Sequence, residues 1–114
     1  FQAGSISKVA AAVVALRLAD AGTLDLYADV NGVLKTWKLP RDDRWAAAPV
    51  TPRRLLSHTA GVSGHGYIGY LAGTDVPTLP QVLDGKPPAN SPPVRVSAEP
   101  GVAASYSGGG YLVL

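Results

Sequence analysis

The stretch Ser5 to Ala21 constrains the chain most, because it reads as one helix and carries its sharpest chemical pattern at the start. Ile6, Val9, Val13, Leu16 and Asp20 follow helical spacing, alanines fill the positions between them, and Gly22 supplies the stop. So much alanine predicts a central helix, buried on several sides against close neighbours. Ser5 and Lys8 lie three residues apart and therefore share a helix face, one turn from each other. A serine hydroxyl becomes a useful nucleophile only when a neighbour accepts its proton, and a lysine amine serves when burial lowers its pKa. At the N-terminus of a helix, free N–H groups and the positive dipole end favour a developing negative charge at Ser5.

Two plainer readings compete on this stretch alone. Ser5 as an ordinary N-cap, with Lys8 solvated in the first turn, explains the same letters. A signal peptide is the other, with Lys8 ahead of a short apolar run, but Arg17 interrupts that run.

Composition narrows the classes. The chain has 114 residues, 46% of them hydrophobic and 16% charged, which fits one domain at most and argues against general disorder. A net charge of +2 is too weak to point to nucleic acid or a membrane surface as partner. The longest apolar run, Val9 to Leu16, is too short to span a bilayer. With no cysteine, thiol catalysis, thiolate metal sites and disulfides are excluded. With no methionine, a start at Phe1 on the best motif and an end at Leu114 in an apolar run, the expectation is an excised or processed piece.

Further along, Val33 to Trp37 reads as a short helical turn and Arg41 to Pro49 as a surface loop. Thr51 to Ser57 reads as a short helix with Thr51 as N-cap and Pro52 at its first position. Val62 to Gly73 is a glycine-rich loop bearing Tyr67 and Tyr70. Thr78 caps a second short helix, Lys86 to Pro93 is extended and proline-rich, and Val94-Arg95-Val96 alternates like a three-residue strand. Ser107 to Leu114 reads as the start of a helix despite its three glycines.

His58 and His65 lie on glycine-rich turns without helical spacing, a poor zinc site, since zinc asks for at least three protein ligands. His58 is expected to hydrogen-bond the backbone around Gly61, and no metal or cofactor is expected. Asp42-Asp43-Arg44 and Arg53-Arg54 read as solvated surface charges. Trp37, Trp45 and Tyr111 read as core or cleft wall.

Phe1-x-x-Gly4-Ser5-x-Ser7-Lys8, Gly22-x-Leu24-Asp25-Leu26, Leu55-Leu56-Ser57-His58-Thr59-Ala60-Gly61, and Pro100-Gly101 followed by Tyr106-Ser107-Gly108-Gly109-Gly110-Tyr111 occur in that order. The series resembles the serine β-lactamase family in its broad sense: class C β-lactamases, DD-peptidases (penicillin-binding proteins), D-aminopeptidases and family VIII esterases. It covers essentially the whole chain, read as a single partial domain. The resemblance implies a mainly α fold, the helical subdomain of the α/β serine β-lactamase and DD-peptidase fold, with most of the antiparallel sheet absent.

The activity it implies is serine acyl hydrolysis of a small ester, amide or β-lactam. Ser5 would be the nucleophile, Lys8 its base or proton relay, and Tyr106 the tyrosine of the family's Tyr-x-Asn motif. A tyrosine moves protons near neutrality only where cations depress its pKa from about 10, and Lys8 is the candidate. Tyr67, Tyr70 and Gly108 would border the substrate. Gly108 stands where the family often has asparagine, which favours esterase or D-amino-acid peptidase activity over β-lactamase. The family's Lys-Thr-Gly or His-x-Gly box, source of a second oxyanion donor, is not found here, and a missing donor costs about 10²–10³ in rate. The alternative is therefore a non-catalytic helical fragment that self-associates or pairs with a complementing chain through exposed apolar surface. By family habit the setting would be a bacterial periplasm or secretion, with cytoplasm for esterase-like members.

Overall fold

A computed structural model describes residues 3–114; Phe1 and Gln2, the first letters of the opening motif, lie outside the described residues. The architecture is mainly helical. A 3₁₀ turn, Gly4–Ile6, runs into α1 (Ser7–Asp20), followed by α2 (Val30–Val33), a second 3₁₀ turn (Asp43–Trp45), α3 (Pro52–Leu56), α4 (Leu79–Asp84) and α5 (Gly108–Val113). Among the described residues the β pairing is an isolated antiparallel bridge, Val62 to Val96, so Val94-Arg95-Val96 contributes one bridge where a strand was expected. A single short segment gains only one partner here, and a lone pairing does not propagate into a ladder.

Local chemistry sets the element ends. Thr51 accepts from the Arg54 N–H and Pro52 occupies the first helical position of α3, as expected from the sequence. Thr78 and Gln81 form a reciprocal capping box at α4, which Gly85 closes in the left-handed conformation. Ser107 caps α5 by accepting the Gly110 N–H at 2.8 Å. The turn expected at Val33 to Trp37 starts earlier, because Asp29 accepts the Asn31 N–H and so caps α2 at Val30.

Asp29 does more than cap. It takes two hydrogen bonds from Arg41, at 2.9 and 2.7 Å, and one from the Val50 N–H at 3.2 Å. Partial burial works against its ionisation, but Arg41 and the two backbone donors outweigh that and hold the carboxyl below its ordinary range.

The core gathers Val30, Leu39, Val50, Leu55, Ala60, Val62, Leu83, Val94, Val96 and Val113, with Trp37 and Trp45 packed against it. No residue of α1 belongs to this cluster, which corrects the expectation of a central, enclosed helix. In α1 only Ala15 is buried, while Val9 stays 66% exposed and Val13, Val14 and Leu16 are exposed as well. The reason is geometric: apolar residues occur all round α1, but short helices and loops approach it from one side. Ala12 and Leu16 face Leu26 and Leu56 across a shallow groove there. No helix among the described residues is long and apolar enough to cross a membrane.

Candidate functional site

The helical stretch expected from Ser5 divides into the 3₁₀ turn and α1, with Ser5 at the centre of the turn. Gly4 precedes it at φ +53°, a conformation glycine adopts without steric cost, so the chain enters sharply and leaves Ser5 exposed at the helix mouth. Lys8, one turn on and half-buried, places Nζ 3.4 Å from Ser5 Oγ. From the far end of the chain, the Tyr106 hydroxyl donates to Ser5 Oγ at 2.5 Å, across 101 positions of sequence. Lys8 Nζ also lies over two rings, 4.9 Å from the Tyr106 centroid and 5.5 Å from that of Tyr111. Ser5, Lys8 and Tyr106 are thus brought together.

The electrostatics follow from this placement. Tyr106 ionises below its ordinary value of about 10, chiefly through its interaction with the Lys8 ammonium and then through the Ser5 hydroxyl. The lysine acts as a cation beside the phenol and over its ring, which stabilises the tyrosinate. Spectrophotometric titration should therefore find one of the five tyrosines ionising early. That early transition should vanish in Tyr106→Phe; five tyrosines all titrating together near 10 would contradict the geometry.

Tyr67 and Gly108 meet a few ångströms away. The Gly108 N–H donates to the His65 carbonyl at 3.1 Å, and a side chain at Gly108 would sit 3.3 Å from the Tyr67 ring. Among the described residues the buried Tyr67 hydroxyl has no hydrogen-bonding partner, and burial raises its pKa. Tyr70 is placed differently: its hydroxyl accepts the Asn90 N–H at 3.2 Å, which ties the glycine-rich loop to the proline-rich segment. Tyr67 and Gly108 therefore adjoin the Ser5 cluster through Tyr106 and Ser107, while Tyr70 belongs to the outer loop.

His58 corrects the expectation from sequence. His58, at φ +58°, bonds the start of α5, not the backbone around Gly61: its Nδ1 accepts the Ser107 N–H at 3.0 Å. Its ring lies 4.4 Å from that of Tyr106 and 5.2 Å from that of Tyr111. His65 also packs on Tyr106, with centroids 5.2 Å apart. The tight turn at Gly61 leaves no room for a side chain beside it, since even a Cβ there would fall 2.1 Å from the Ala98 carbonyl oxygen. Sequence reading missed this role because the pairing partner lies 49 positions away. The one available signal was the histidine just past a helix end, where left-handed backbone re-aims the side chain.

Arg54 is another correction. Its guanidinium donates to the Pro49 carbonyl at 2.5 Å and packs on Gly101, so it joins two loops instead of lying free in solvent. A depression of about 420 Å³ between Arg41, Trp45 and Arg95 contains none of the clustered hydroxyl and amine groups. Those groups cluster at the open mouth around Ser5.

The family model described as Beta-lactamase matches residues 1–114. The chain belongs to the β-lactamase family. It is 34% identical over 114 residues to penicillin-binding protein 4 of Amycolatopsis lactamdurans, a match covering 100% of this chain and 28% of that relative. The chain thus spans a little over a quarter of the length of that curated relative. No solved structure matches.

Proposed function

We propose that this chain carries the nucleophile, the proton-transfer groups and part of the substrate wall of a serine acyl hydrolase acting on a small ester, amide or β-lactam. One observation carries the reading: Tyr106 and Lys8, from opposite ends of the sequence, converge on the single hydroxyl of Ser5. In the neutral form the phenol donates to Ser5 Oγ. Once Tyr106 is ionised the contact reverses, and Ser5 donates to the phenolate.

The reaction then runs in two balanced steps. Ser5 Oγ bonds to the substrate carbonyl carbon as its proton passes to Tyr106, with Lys8 holding the phenolate charge. The tetrahedral intermediate collapses, the bond to the leaving oxygen or nitrogen breaks, and the proton passes to that leaving group. Water attacks the acyl-enzyme by the reverse route, releasing the acid and restoring Ser5. Gly108 and Tyr67 form one wall and Tyr70 the outer rim. Gly108 offers no side-chain amide to a substrate amide, which favours ester or D-amino-acid peptide substrates over β-lactams.

A second reading, a folded but inactive piece that pairs with a complementing chain, draws on the exposed valines of α1. Intact mass separates the two after incubation with a fluorophosphonate and, in another sample, with a penicillin. With the fluorophosphonate, an O–P bond to Ser5 forms as fluoride and the serine proton depart. One fluorophosphonate adduct is expected, absent in Ser5→Ala, with penicillin adding more slowly. A chain that is folded by circular dichroism and takes up neither reagent would select the inactive piece.

A further inference from the structure

Resting on that reading, the surroundings of Tyr106 point to one more participant. His58 stands at the end of α3, held by tertiary contacts in a left-handed conformation uncommon for residues other than glycine. From there it grips the Tyr106 segment twice. Its carbonyl accepts the Ser105 N–H at 2.8 Å and its Nδ1 accepts the Ser107 N–H at 3.0 Å, one bond on each side of the tyrosine. Its ring packs between Tyr106 and Tyr111, so the backbone and the face of the tyrosine are fixed by the same residue. The Ser107 Oγ meanwhile donates to the Ser63 carbonyl at 3.0 Å, which anchors the far side of the segment.

We propose that His58 is a positioning residue for Tyr106, clamping the backbone at Ser105 and Ser107 so that the phenol meets Ser5 Oγ, and that the clamp holds only while the imidazole is neutral.

The chemistry of the ring requires the second part. An Nδ1 that accepts from an amide carries no proton, so the neutral ring has its hydrogen on Nε2. Protonation at Nδ1 would set a donor against the Ser107 N–H and break the bond. The groups facing the ring are Lys8 from α1 and Tyr106 and Tyr111 from the α5 segment, with His65 beyond Tyr106. Burial, and secondarily the Lys8 charge, keeps His58 below the usual histidine value of about 6.5. A depressed histidine gives stability that is full above about 6.5 and lost as pH falls through the lower folded value. The clamp is therefore closed at neutrality and opens in acid.

Amide hydrogen exchange at Ser107, from about pH 5 to about pH 8, tests the clamp without needing any reaction at Ser5. Corrected for intrinsic exchange, protection in the wild type should fall on the acid side. His58→Gly, which tolerates the left-handed backbone, should lose about 3- to 10-fold of that protection at neutral pH. It should also slow fluorophosphonate labelling of Ser5. His58→Asn places an amide oxygen where Nδ1 stood and accepts the same backbone conformation; it should restore protection and labelling and remove the acid-side loss. Equal Ser107 protection in wild type and His58→Gly overturns the clamp. So does an acid-side loss that persists unchanged in His58→Asn, a readout that stands even if His58→Gly fails to fold. Normal clamp behaviour with no adduct at Ser5 would support the clamp and overturn the nucleophile assignment instead.

Discussion

Lys8→Ala should slow the labelling of Ser5 by a fluorophosphonate by about 10²–10⁴, the range in which general acid–base groups act. The size of the effect follows from the double placement of Nζ, 3.4 Å from Ser5 Oγ and over the ring of Tyr106. Removing it takes away a direct partner of the Ser5 hydroxyl. It also takes away the main cause of the early ionisation of Tyr106. The rise in labelling rate with pH, which in the wild type follows the tyrosine below about 10, should therefore move upward in Lys8→Ala.

Lys8→Arg separates the two contributions. A guanidinium keeps the charge that lowers Tyr106 but does not accept a proton. Tyr106 sits closer to Ser5 Oγ, at 2.5 Å, and in the proposed mechanism takes the proton first. Lys8→Arg is thus expected to label at a rate between those of wild type and Lys8→Ala. A rate in Lys8→Arg as low as in Lys8→Ala would make the lysine itself the base.

A large loss of stability is expected from Gly109→Ala. A Cβ on Gly109 would stand 2.2 Å from the Ser63 carbonyl oxygen and 3.2 Å from both methyls of Val94, a side chain with no exposure. Backbone on one side and core on the other leave no flexible atom to yield. Overpacking a core costs about 1–3 kcal/mol and occasionally more. Here the clash also separates α5 from the glycine-rich loop after α3, where the Gly109 N–H donates to the Gly64 carbonyl at 2.8 Å. About 3 kcal/mol is expected, or roughly 10–20 °C in melting temperature for a chain of this size. Gly66→Ala, in open space, should change stability by less than about 0.5 kcal/mol. Thermal melts of the two variants side by side check the contrast, and equal melting temperatures would refute it.

Much of this was legible in the sequence where information is local. Thr51 ahead of Pro52, and Thr78 three residues ahead of Gln81, encode their helix starts within one turn. The cluster of Ser5, Lys8 and Tyr106 was reachable only through motif order, since no periodicity links residue 106 to residue 5. What escaped was long-range. The clamp by His58 depends on a partner 49 positions away, and the anchoring of Arg54 against Pro49 and Gly101 depends on how two loops meet. The burial of α1 was misjudged for a related reason. Alanine and valine content reports what a helix would gain from cover, but the neighbours that provide cover are set by the rest of the fold.

The weak anchoring of α1 bears on Ser5 directly. Ser5 rides at the head of a helix that adds nothing to the core cluster, while Tyr106 and His58 sit on segments tied to α3 and α5. Helix and core therefore form an intramolecular pair, and the concentration that Tyr106 experiences of Ser5 depends on how often α1 is seated. An unseated fraction would divide the observed reaction rate by a constant factor without altering any bond in the assembled site. Whatever seats α1 more firmly would raise that effective concentration and act as an activator, though it touches neither Ser5 nor Tyr106.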